Sequence, residues 1–222
     1  MRVRPVRQDG CVIDQNIAPV DVSWQRIETW LAAHAPASLE HLNPPAHRDD
    51  INAAERLLGG PLPAELVQSL TRHNGVSRWS NLIPQASPMA ADTIAQRWQT
   101  SMEVAADNDG FKLQPWEDEP WWHPQWVPWA ESADGVIQIT DLRPGPDRGR
   151  LGWAGHSDGG DFTDAWPNLP TLLNAIAGAL YFGKSVQGLH PYFTEEGDVW
   201  WDQADRHELN GSPLRPAPVG LT

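Results

Sequence analysis

The chain changes its hydrophobic period once, and that change constrains its fold more than any other feature. Up to residue 107 apolar side chains recur at spacings of three and four; from residue 111 to 156 they fall in short β-type pieces cut by proline and glycine. In the first half, Trp24, Ile27, Leu31 and His34 form a stripe from Asp21 onward. Asp21 or Ser23 can accept from the free N–H groups of that helix's first turn, and Pro36 is placed to stop it. A second helix is expected from Asp49/Asp50 through Ile51, Ala54 and Leu58 to Gly59-Gly60. A third has Pro61 and Pro63 in its first turn, buries Leu62, Leu66 and Leu70, and ends at Asn74-Gly75. A fourth opens at Ser87-Pro88 and carries Ile94, Trp98, Met102 and Ala105.

The second half begins after the turn Asp107-Asn108-Asp109-Gly110. Strands are expected at Phe111–Leu113, Trp126–Trp129, Val136–Thr140 and Arg150–Ala154, a fifth helix at Pro170–Phe182, and a hairpin of Tyr192-Phe193 with Val199-Trp200-Trp201. Leu82-Ile83-Pro84 precedes them as a further short apolar piece. Adjacent strands with short turns pair antiparallel, and helices grouped before strands argue α+β architecture: a single curved, mainly antiparallel sheet packed by helices. The domain is expected over 21–208, between an N-terminal arm at 1–20 and a proline-bearing, disordered tail at 209–222.

Charge excludes several function classes. Sixteen Lys+Arg against 29 Asp+Glu leave a net charge of −13, which repels nucleic acid and anionic membranes. The lone Cys11 forms no internal disulfide, and Asp9, Asp14 and Gln15 interrupt any apolar run after Arg2, Arg4 and Arg7, so neither signal peptide nor membrane span is expected and the location reads as cytoplasmic.

Gly155-His156-Ser157-Asp158-Gly159 is a literal G-x-S-x-G, the nucleophile-elbow pattern. An elbow needs a strand before the serine and a helix after it, and Gly159-Gly160-Asp161-Phe162-Thr163-Asp164 carries no helical stripe. The acid and base would fall to Asp202 or Asp205 and His207, in a short polar terminal segment, so the stretch reads as a hairpin loop and not as a hydrolase site. His34, His41 and His47 lack one-turn pairing, and Asp158, Asp161 and Asp164 lack calcium-loop spacing, so no metal or cofactor is expected. Of the chain's 13 tryptophans, five fall in residues 116–129 beside Glu117, Asp118 and Glu119. Such indoles could anchor a partner or stack on sugar rings, but most read as core, with the acidic run solvated.

Ile51-x-x-Ala54-Glu55-x-x-Leu58-Gly59-x-x-Leu62-Pro63-x-x-Leu66, continuing to Leu70-x-x-His73-Asn74-Gly75, resembles the opening signature of the SUKH superfamily, the Smi/Knr-type domain. Trp24-x-x-Ile27-Glu28-x-Trp30-Leu31 looks like that branch's first helix, and Leu82-Ile83-Pro84 stands where its first strand often lies. Trp121-Trp122 with Trp126-Val127-Pro128, then Gly135, Asp141, Pro144-Gly145 and Gly149-Arg150-Leu151, are similar to its later motifs, so the resemblance covers about residues 22 to 202. It implies an α+β fold with no shared catalytic set. It further implies a non-enzymatic protein-binding domain: a cytoplasmic immunity protein neutralising a polymorphic toxin, or a glucan-related regulatory scaffold using a Trp-rich surface. An acidic inhibitor suits a basic toxin domain, since opposite fields speed association. The candidate contact residues are Glu117, Asp118, Glu119, Trp121, Trp122, Asp158 and Asp161.

Overall fold

A computed structural model describes residues 17–221, so most of the arm expected at 1–20 lies outside the described residues. The first helix, α1 (Val20–His34), presents Trp24, Ile27, Trp30 and Leu31 to the core. Its N-terminus is not capped by Asp21 or Ser23 as expected: Pro19 occupies the cap position and Ser23 is buried. Pro36 stops α1 and at once opens the short α2 (Pro36–Glu40), because a first-turn residue needs no N–H partner. α3 (Arg48–Leu58) ends on Gly59 at φ +74°, a left-handed cap that suits glycine. α4 (Ala64–Arg72) follows, with Pro63 before its first residue and Leu66 and Leu70 buried.

Ser87 and Pro88 do not open the next helix. They form β1 (Ser87–Pro88), paired with Glu131 and Ala130, and α5 (Ala91–Asp107) begins three residues later. Asn74 supplies its cap from 17 residues upstream: its Oδ1 accepts from the Ala91 N–H at 2.8 Å. Gly75 adjoins it at φ +67°, and a Cβ there would lie 2.4 Å from the Ala90 nitrogen. Asn74-Gly75 thus positions α5 as well as following α4.

Five antiparallel strands form the main sheet in the order β1-β2-β3-β4-β5: β2 (Trp126–Glu131), β3 (Ile137–Asp141), β4 (Leu151–Ala154) and β5 (Asp161–Trp166) join β1. Phe111–Leu113, expected as a strand, is an exposed turn after α5. Leu82-Ile83-Pro84 is likewise not a strand: Ile83 and Ala86 exchange backbone hydrogen bonds across the two-residue turn Pro84-Gln85. α6 (Leu169–Phe182) starts on an Asn168 cap, packs against α1, and buries Leu172, Leu173, Ile176 and Leu180.

The α+β class with antiparallel pairing is as expected, but the strands do not all join one sheet. β6 (Leu189–Phe193) and β7 (Val199–Gln203) form a second sheet with β10 (Arg215–Pro216), while β8 (Glu208–Leu209) pairs with β9 (Ser212–Pro213). The segment after Asn210, expected as a disordered tail, is therefore built into the fold. Leu214 is buried, and the Gly220 N–H donates to the Leu180 carbonyl at 3.1 Å. One core runs between the helices and the main sheet, with Trp24, Trp30, Trp122 and Trp126 among its largest fully buried side chains.

Candidate functional site

The expected contact residues do not form one surface. Trp122 is 1% exposed; it meets the Trp126 ring edge-on at 5.9 Å, so it belongs to the core and cannot anchor a partner. Glu119 is not solvated either. It accepts from Arg143 Nη1 at 2.6 Å and from Arg150 Nη2 at 2.9 Å, and the same arginines donate to the buried Asp141. Burial pushes the Asp141 carboxyl up, but hydrogen bonds from Arg143 and Arg150 outweigh it and hold the group below the ordinary carboxylate range. Arg150 also lies over the Phe162 ring at 3.7 Å. This network clasps the loop before β2 to β3, β4 and β5.

The G-x-S-x-G segment is the loop between antiparallel β4 and β5, so a strand stands where an elbow requires a helix. Its glycines have another use. A Cβ on Gly159 would lie 2.2 Å from the Glu119 carbonyl oxygen, and one on Gly160 would lie 2.3 Å from the Trp126 ring, while the Gly160 N–H donates to Pro120 at 3.0 Å. His156 turns away from nucleophile chemistry as well: its Nε2 bonds the Asp134 carbonyl at 2.7 Å and its own carbonyl accepts from the Trp121 indole. Glu117 and Trp121 do come together, lining a cavity of about 430 Å³ with His156 and Ser157. Asp118 and Asp158 are exposed on their loops, and Asp161 opens β5, its Oδ1 accepting from the Thr163 N–H at 2.7 Å. Among the described residues no group of three or more His, Cys, Asp or Glu is placed to hold a metal ion.

A larger cleft of about 620 Å³ lies elsewhere, between the main sheet and the β6–β7 hairpin. That volume is in the range of small-ligand sites. Four short segments build it: Trp79 to Gln85, the β2–β3 turn at Ser132 to Val136, Trp153 on β4, and Leu189 with Trp200 to Gln203. Trp79 is 41% exposed and packs against Trp200 at 6.1 Å between ring centroids. Their indole N–H groups are engaged inside the protein, Trp79 with the Glu131 carbonyl at 3.2 Å and Trp200 with Asp202 at 3.4 Å. Trp201 is buried beneath, donating to the Leu82 carbonyl at 3.1 Å.

The polar groups of the cleft are rich in acceptors. The Ser132 hydroxyl donates to Asp134 and, as the chief cause, holds its carboxyl below the ordinary range, so Asp134 is an ionised acceptor. Asn81 lies beneath, its amide donating to the Trp201 carbonyl at 3.3 Å and its Oδ1 buried without a partner, so the amides that reach the cleft surface are those of Gln85 and Gln203. Trp79, Trp153 and Trp200 stand 47 or more residues apart in sequence or on separate strands, so no local motif marks them. The only signal in the sequence was the excess of tryptophan itself.

Comparison with known proteins agrees with the fold. The model of the SMI1 / KNR4 family (SUKH-1) matches residues 45–175, from the start of α3 into α6. A "Glucan synthesis regulatory protein" of Neurospora crassa is 24% identical over 165 residues, 56% of this chain and 31% of that protein. A "KNR4/SMI1 homolog" of Yarrowia lipolytica is 30% identical over 89 residues, 39% of this chain and 12% of its own length. The chain thus spans about a third or less of these curated relatives. Residues 189–203, which form one wall of the cleft, lie beyond the matched stretch. With more than half of its length matched, from the α3–α4 signature through the five-stranded sheet, the chain belongs to the SMI1/KNR4 family.

Proposed function

We propose that this chain is a non-catalytic regulatory binding domain whose working surface is the tryptophan-lined cleft. One observation carries the reading: the indoles of Trp79, Trp153 and Trp200 line, beside an ionised carboxylate and side-chain amides, one cavity of ligand size. Of the other features that suggested chemistry, the glycines of the G-x-S-x-G loop and Glu119 of the acidic run have packing roles. A regulatory role is in keeping with a relative named for regulation of glucan synthesis, and the lone Cys11 suits the reducing cytoplasm. A photo-crosslinking residue placed at Gln85, exposed on the cleft rim, should capture the physiological partner in the cell of origin. The same probe at Asp158 should not. Capture from Asp158 alone would contradict the reading.

A second reading rests on charge. A net −13 favours a basic protein partner, such as a toxin domain that this chain would neutralise. Co-expression with a toxic product of a neighbouring gene should then restore growth, with association slowing steeply as salt rises. Unrestored growth or salt-independent association would count against it.

A further inference from the structure

We propose that the cleft binds a neutral oligosaccharide, with hexose rings stacked on Trp79, Trp153 and Trp200 and hydroxyls hydrogen-bonded to Asp134, Asp202 and the surrounding amides. The inference rests on the reading of the cleft as the working surface and adds the ligand's class.

Three features favour this ligand. First, three indoles line one cleft, and the N–H groups of Trp79 and Trp200 are already bonded within the protein. A ring face accepts the apolar C–H side of a sugar, whereas an indole that recognises a peptide carbonyl needs its N–H free. Second, the polar groups are acceptors or amides with few fixed donors, among them the ionised Asp134 carboxylate. Hydroxyls both donate and accept, so they satisfy such a wall at many orientations. An acidic sugar would meet the repulsion of Asp134, Asp202 and the net negative charge, which selects neutral rings.

Third, the rim holds a residue at a conformational cost. Pro84-Gln85 is a tight turn with φ +62° at Gln85, the position where glycine is ordinarily found after proline. A non-glycine residue there is conformationally strained, and it delivers an exposed side-chain amide to the cleft.

The test is a tryptophan-fluorescence and calorimetric titration of the full chain with glucose hexamers in β-1,3, β-1,4 and α-1,4 linkage, and with a lysine- and proline-rich peptide. At least one hexamer should bind at up to millimolar concentration. Trp79→Ala and Trp200→Ala should weaken it about tenfold or more each. Trp116→Ala, at 79% exposed and outside the cleft, should change nothing. Gln85→Gly should weaken binding while raising the unfolding midpoint, a pairing that mere structural damage cannot produce. If only the peptide binds and Trp79→Ala abolishes it, the sugar is refuted and the cleft survives as a binding surface. If a hexamer binds equally to wild type and both tryptophan variants, or no hexamer binds, the proposal falls.

Discussion

Two tryptophan-rich regions of this molecule are built in opposite ways. Around Trp121, Trp122 and Trp126, indoles are packed under a loop that two arginines and two carboxylates clasp to the sheet. Around Trp79, Trp153 and Trp200, indoles border an open cleft and meet few charges except acceptors. The first region is conspicuous in sequence and structural in fact. The second is invisible in sequence because its parts come from four distant segments, and it has the geometry of a site. Density of tryptophan along this chain therefore marks packing, while its convergence in space marks the open cleft.

Substitutions can break this contrast, beginning with the clasp. Asp141→Asn leaves Arg143 and Arg150 short of a carboxylate that is buried between them, and should cost about 3 kcal/mol in urea unfolding. The expected ligand affinity is unchanged. Gly160→Ala forces a methyl against the fully buried Trp126, and Gly159→Ala against the Glu119 backbone; each should cost about 1–3 kcal/mol. By contrast Ser157→Ala, in the same loop, should lie within about 0.5 kcal/mol of wild type and leave a fluorophosphonate probe with nothing to lose.

Acid titration probes the clasp without mutation. The Asp141 carboxyl is held below its ordinary value in the folded state, so the folded chain takes up that proton less readily than the unfolded one. Its stabilisation is complete above about pH 4, the unfolded carboxylate value, and is lost as pH falls further through the folded value. Glu28 follows the same sign: burial raises it, but hydrogen bonds from Arg72 and His73 prevail and lower it. Stability should decline below about pH 4, and Asp141→Asn should flatten that decline. A small effect of opposite sign is expected in the cleft, where Gln85→Gly should stabilise by about 0.5–1 kcal/mol through relief of its positive φ.

Much of the fold was legible because the sequence states it locally. α1, α3, α4 and α6 carry clear apolar stripes, and Gly59 closes α3 in a conformation glycine adopts at no steric penalty. The β2, β3 and β4 strands and the β6–β7 hairpin were bounded by turn residues. Failures arose where a distant partner decides. Ser87-Pro88 has the look of a helix start, yet β2 captures it as an edge strand and Asn74 caps α5 from afar. β5 mixes exposed Asp161, Thr163 and Asp164 with half-buried Phe162, Ala165 and Trp166 out of strict alternation, so it shows no strand period, and it is held through its pairing with β4. The tail after Asn210 is proline-rich, but Arg215 and Pro216 find a sheet edge on β6. Of the expected contact residues, Glu119 and Trp122 were misplaced for one reason: an acidic run and a tryptophan pair carry no period that tells a clasped loop from an exposed one.

The central claim is that the cleft binds and the clasped loop supports. It is tested most directly by measuring glucose-hexamer affinity and urea midpoint side by side for Trp79→Ala and Gly160→Ala. The account predicts that Trp79→Ala loses about tenfold or more in affinity with a small midpoint shift, while Gly160→Ala loses about 1–3 kcal/mol of stability and keeps its affinity. Wild-type affinity in Trp79→Ala, or a loss of affinity confined to Gly160→Ala, would contradict it.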